Sequence, residues 1–193
     1  QSKINYVAFE DGMGGFVPRE AAAVLQKKYG DCKDMANLLN EMLHYAGIDS
    51  NIAWIGTRHN NYTYADVPSP IVDNHMITVA LIDNKDVFLD ATGHYSLFPN
   101  VTPFIQGKEA LVKVDDEKYK IIPVPVIPSD QNQTNGTFKI KFDSGVLIGQ
   151  THLNLKGFLK MQFISNYRTA TDKNEMLRDY FAYFIQNIKT SNF

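Results

Sequence analysis

Residues 31–47 constrain the fold more than any other stretch of this chain. Cys32, Met35, Ala36, Leu39, Met42, Leu43 and Ala46 recur at the i, i+3, i+4, i+7 spacing of an amphipathic helix. Asp31 can cap its first turn and Gly47 can end it. A helix with one apolar stripe has to bury it against a second layer, so this segment demands a partner sheet or helix. Its first residue is the only cysteine in the chain. A thiol at a helix start faces unsatisfied backbone N–H groups and the positive end of the helix dipole, surroundings that favour the thiolate. A single cysteine excludes an internal disulfide and a cysteine-rich zinc site, which leaves a small buried filler or a reactive group.

The flanking segments supply the partner layer. Upstream, Pro18 stands at a first helical position, residues 19–28 are strong helix formers, and Gly30 suits the stop. Downstream, 51–57 reads as a strand and the polar, proline-containing stretch 58–73 as a long loop of the kind that often carries function. Residues 75–82 and 86–90 are β-rich runs around Asp83-Asn84-Lys85, the pattern of a hairpin, and another strand is expected at 110–114. Two helices followed by antiparallel strands make an α+β arrangement.

Pro123, Pro125 and Pro128, followed by a polar run, place a boundary within 120–135. The expected domains are therefore 1–120 and 121–193. The second is β-rich, with strands at 137–142 and 146–155 and terminal helices at 158–168 and 173–188. Residues 5–9 read as a strand with nothing before it, as expected of a piece of a longer protein.

Composition removes several classes of function. With 44% hydrophobic residues in 193 positions, the chain can bury a sizeable core. A formal net charge of −2 and no clustering of the 19 basic residues argue against a nucleic-acid partner. No apolar run approaches the roughly 20 residues that cross a bilayer, so a membrane-spanning segment is not expected.

A cysteine nucleophile needs a base to take its proton and a third group to orient that base. Cys32, His75 and Asp90 supply these types, with sulfur at a helix tip, His75 opening the first hairpin strand and Asp90 ending the second. Register tests the idea. If Asp83 and Asn84 are the two central turn residues, Ile82 faces Lys85 and Asp90 faces Ile77, a diagonal neighbour of His75 within side-chain reach. Centring the turn on Asn84 and Lys85 would put Asp90 opposite Val79, roughly 13 Å along the strand from His75. Aspartate and asparagine tolerate the positive φ of a tight hairpin turn, which favours the first register.

These residues resemble a known family. Gly-Asp-Cys-Lys-Asp (30–34) opening a helix with Leu38-Leu39 and Ala46-Gly47-Ile48, then Asn74-His75, then Leu-Asp-Ala-Thr (89–92), are similar to the transglutaminase-like core of bacterial multidomain proteins, over roughly residues 4–115. The resemblance implies a papain-like fold, with Cys32 as nucleophile, His75 as base and Asp90 as orienter. It implies acyl transfer on a peptide or protein amide through a thioester, with hydrolysis expected over transamidation because no amine tunnel is evident and water is always at hand. It further implies a β-rich accessory domain after the core, other domains in the same longer chain, and export to the cell envelope or beyond. No cofactor is needed for this chemistry.

Other residues keep two readings. Tyr6 and Asn5 upstream, and the sole Trp54 downstream, are candidates for a second oxyanion donor. Asn74 contacts substrate or shapes the loop before His75; Tyr62 and Tyr64 line a peptide groove or pack the loop down. Lys33 and Asp34 read as an exposed first-turn pair, with Asp34 also placed to tune a cationic histidine. Gly12, Gly14 and Gly15 read as a flexible lip beside the cleft. His44, His59, His94 and His152 are scattered without ligand spacing, so no metal site is expected. The rival to an enzyme is a catalytically inactive scaffold of the same fold that binds a peptide, glycan or protein partner.

Overall fold

The computed structural model describes residues 3–8, 15–93, 95–96 and 98–184. Helix α2 (Cys32–Tyr45) forms where the apolar period places it. The Asp31 side chain accepts the Asp34 N–H while the Asp34 side chain accepts the Asp31 N–H, a complete capping box. Burial does not follow the stripe to the end of the helix. Lys33, Asp34, Met35, Ala36, Leu38 and Asn40 are buried, whereas Met42 is 60% exposed. The N-terminal half is enclosed on several sides and the C-terminal half projects past its neighbours. The exposed Lys33–Asp34 pair expected from sequence is therefore corrected: both are buried, because each meets an oppositely charged group described below.

Helix α1 (Ala21–Lys27) starts later than the position of Pro18 suggests. The Arg19 N–H is engaged by the Asp34 carboxylate at 2.8 Å, which holds residues before Ala21 out of the helix. The helix stops at Lys28 rather than Gly30; Lys28 takes the left-handed cap at φ 62° and donates its N–H to Val24 O. Gly30 instead enters the short strand β2 (Tyr29–Gly30), parallel to β1 (Asn5–Tyr6). Glycine is required there by proximity, since a Cβ would fall 2.7 Å from Asp34 Cβ. Of the strand expected at 5–9, only 5–6 is formed as β1, and Phe9 lies outside the described residues.

Five antiparallel strands form the main sheet in the order β5-β4-β3-β6-β7. They are β3 (Ser50–Ile55), β4 (His75–Ile82), β5 (Lys85–Leu89), β6 (Glu109–Lys113) and β7 (Tyr119–Pro123). One face meets α2: Thr78, fully buried, donates Oγ1 to Ala36 O at 2.8 Å. The other face carries Ala53, Ile55, Ile77, Val79, Ala110 and Val112, filled by Phe88, Val101, Ile105 and Val124. This face is concave. Lys120 on β7 and Asp86 on β5 occupy opposite outer strands, yet their charged atoms lie 3.1 Å apart. In a flat sheet those strands would stand about 19 Å apart, so the sheet curls until its rims face each other.

The chain divides into two compact units, Gln1–Ile127 and Pro128–Phe193. The prolines near 120–135 conceal β7, whose Pro123 suits an outer strand and whose successor Val124 is 2% exposed in the core. The first unit thus runs past residue 120. In the second, β8 (Thr134–Asp143) and β9 (Val146–Leu155) form a hairpin through Ser144 and Gly145, both at positive φ. Helices α3 (Gly157–Thr169) and α4 (Lys173–Phe184) follow, touching through the Phe163 and Tyr180 rings at 4.8 Å. The remainder of the helix expected to 188 lies outside the described residues. The architecture is α+β.

Candidate active site

The hairpin turn decides what stands beside His75. Asp83 and Asn84 both adopt positive φ, 51° and 58°, and Ile82 pairs with Lys85. Thr78 pairs with Leu89, so the next residue, Asp90, comes level with Ile77 on the concave side. His75 Nε2 lies 2.9 Å from Asp90 Oδ2, with the two residues 7% and 9% exposed.

Asp90 is held in place by more than the histidine. Its Oδ1 accepts the Thr92 N–H at 2.9 Å and the Thr92 hydroxyl at 2.6 Å; its Oδ2 also accepts the Thr102 hydroxyl at 3.1 Å. Burial pushes the Asp90 carboxyl upward, but His75 and the Thr92 donors outweigh it and hold the group below the usual carboxylate range. The same contest has the opposite sign at the ring. Burial pulls the imidazole pKa down, while the hydrogen bond to Asp90 and the neighbouring Cys32 raise it to about 9. Nε2 is committed to the carboxylate, so Nδ1 is the nitrogen left for the sulfur side.

Cys32, a free and partly exposed thiol, heads α2 beside this ring. The strand β1 brings Tyr6 to it, fastened by Asn5 N–H to Lys28 O at 2.8 Å and Val7 N–H to Gly30 O at 2.9 Å. The Tyr6 hydroxyl meets both the side chain and the backbone N–H of Cys32. Burial first, then Cys32 and Asp31, raise its pKa to about 12, so it remains a protonated donor at neutral pH. Asn5 uses its backbone in the strand pairing, and Trp54 packs against Phe16 with ring centroids 6.2 Å apart.

The base of the cysteine helix is braced by charge. The Arg19 guanidinium reaches Asp34 Oδ2 through Nε at 3.0 Å and Nη2 at 2.6 Å, and Nη2 also donates to Tyr29 O. Lys33 pairs with the Asp31 carboxylate. Asp34 thus serves Arg19 and the cap; tuning of the histidine by Asp34, expected from sequence, is replaced by this pairing.

Tyr62 and Tyr64 both donate their hydroxyls to Asp73, and Lys108 Nζ donates to the carbonyls of Asn60 and Tyr62. The loop-packing alternative describes these two tyrosines. Asn74 accepts the Thr57 N–H at 2.9 Å and donates to the Thr57 hydroxyl at 3.0 Å, joining the strand end to the loop before His75. Two neighbours escaped sequence reading. Thr102 binds Asp90, and the Phe104 ring stands edge-on to His75 at 5.3 Å; both belong to a proline-containing turn whose only local signal is the turn itself. His44 is bonded to Ser50 O, and among the described residues no three His, Cys, Asp or Glu side chains gather as metal ligands. Gly12, Gly14 and His94 lie outside the described residues, and a short turn begins at Gly15. No helix among the described residues is long and apolar enough to cross a membrane.

No family model and no curated protein matches this chain. Among solved structures, it is similar to a "putative protease" from Parabacteroides distasonis ATCC 8503, at 19% identity and a TM-score of 0.49. That similarity covers 75% of this chain and 29% of the other, so the chain spans less than a third of that protein's length.

Proposed function

We propose that this chain is a cysteine-dependent amide hydrolase built on a transglutaminase-like core of the papain type. The observation that carries the reading is the buried 2.9 Å contact of His75 Nε2 with Asp90, which leaves Nδ1 of the same ring for Cys32. The Sγ proton rests on Nδ1, in keeping with the raised pKa of the ring, and the sulfur attacks the amide carbon; the carbonyl π pair moves onto oxygen. The resulting oxyanion faces the Cys32 N–H and the Tyr6 hydroxyl, two donors at the tip of α2. Collapse breaks the C–N bond, the leaving nitrogen takes the proton back from Nδ1, and a thioester remains on Cys32. His75 then deprotonates a water, which attacks the thioester carbon; the C–S bond breaks and a carboxylic acid departs. Asp90 keeps the ring in one orientation and stabilises its cationic form, with Thr92 and Thr102 fixing the carboxylate.

Turnover of p-nitrophenyl acetate, with acetyl-Cys32 detected by mass spectrometry, tests this sequence of steps. Cys32→Ala is expected to abolish it, and Tyr6→Phe to slow it by about 10²–10³, the usual loss for one oxyanion donor. Alkylation of Cys32 by iodoacetamide across pH gives an independent readout. A profile unchanged by His75→Ala would refute the enzyme and leave a binding scaffold of the same fold.

A further inference from the structure

Ile55 pairs with His75 at the end of β3, and three residues later the chain presents Arg58. Three residues span at most about 10 Å, so this side chain originates on the rim of the site. Its backbone is fixed from two directions. Asn74, the residue before His75, clamps Thr57 through two hydrogen bonds of 2.9 and 3.0 Å. Arg58 itself donates its N–H to Phe104 O at 2.7 Å, and the Phe104 ring stands 5.3 Å from that of His75.

The guanidinium above this anchored backbone is exposed and has no hydrogen-bond or ion-pair partner among the described residues. Other cations of the first unit differ. Arg19 is engaged by Asp34, Lys33 by Asp31, and Lys108 by loop carbonyls. A rigidly based cation left available near the His75 end of the site can read the charge of whatever enters. Arginine stays protonated at any physiological pH, and its planar donors match a carboxylate.

We propose that Arg58 is a specificity-determining residue that favours amide substrates carrying a carboxylate close to the scissile bond, on the side that passes over Phe104. This rests on the reading of Cys32 as nucleophile. An acidic side chain and a free terminal carboxylate present the same chemistry, and three probes separate them: iodoacetyl-glutamic acid α-amide, iodoacetyl-glutamine with a free α-carboxylate, and neutral iodoacetyl-glutamine amide. Labelling of Cys32 is followed by mass spectrometry under pseudo-first-order conditions.

At least one carboxylate probe is expected to react about two- to fivefold faster than the neutral one, the size typical of an exposed charge pair, and the faster probe identifies the source. The ratio should fall to near one in Arg58→Ala, drop below one in Arg58→Glu, survive in part in Arg58→Lys, and shrink as salt is raised. Equal rates for charged and neutral probes in the wild-type protein, or a ratio that persists in Arg58→Ala, would overturn the assignment. Labelling that ignores His75→Ala instead overturns the nucleophile reading, and with it this one.

Discussion

Asp34→Asn removes one charge and almost no volume from the base of the cysteine helix, and its cost can be worked from the contacts it breaks. Asp34 is 1% exposed, and its carboxylate accepts the Arg19 N–H, Nε and Nη2 and the Asp31 N–H. Asparagine keeps one acceptor but aims an NH₂ group at donors. Removing one partner of a fully buried ion pair costs about 3–5 kcal/mol. The Arg19 side chain is 29% exposed, and water can reclaim part of it, which lowers the expectation to about 2–4 kcal/mol. At about 2.1 cal/mol/K per residue, the first unit, Gln1–Ile127, unfolds with an entropy near 0.27 kcal/mol/K. The melting temperature of that unit should therefore fall by roughly 7–15 °C. Calorimetry at pH 7 measures it, and a double-mutant cycle with Arg19→Met isolates the pair. The Asp34 pKa is held low because the Arg19 and Asp31 donors outweigh burial. The stabilisation is thus present above the unfolded carboxylate's pKa and lost as pH falls, so the two proteins should converge in acid. A drop under about 3 °C, or a coupling within about 0.5 kcal/mol of zero, would refute the argument.

Two further outcomes follow from the same packing. Gly30→Ala places a methyl 2.7 Å from Asp34 Cβ and 3.2 Å from Val24 Cγ1, both on buried residues, and should cost about 1–3 kcal/mol by urea denaturation; a neutral result would mean β2 is not held against α2. His75, with its pKa raised from 6.5 to about 9, contributes stability that is complete below pH 6.5 and disappears as pH climbs through 9. The melting-temperature gap between wild type and His75→Gln should narrow across that window, and a gap that widens would reverse the sign.

What sequence revealed and what it hid divide along local and distant interactions. The α2 helix, its Asp31 cap and the Asp83-Asn84 turn are written in neighbouring residues, through apolar spacing, a short polar acceptor and tolerance of positive φ. Where the turn is known, period two along the strands carries Asp90 to His75 without further information. The burial of Lys33 and Asp34 could not be read this way, because Arg19 lies 15 residues from Asp34 and nothing local announces their meeting. Thr102 and Phe104 were hidden for the same reason: they reach the site by filling the concave face, a consequence of sheet curvature. Strand β7 was masked by prolines that punctuate a chain whether they end a domain or merely border a sheet. Lys28 displaced Gly30 as the helix stop because Gly30 was required where Asp34 passes close.

The bridge between Lys120 and Asp86 has a bearing on how this molecule behaves in company. Outer strands invite strangers to zip onto their unsatisfied amides, and here the two hems of the cloth are drawn toward each other and fastened by opposite charges. Cutting that button should matter less to the warmth the protein tolerates than to the concentration at which its solutions stay clear.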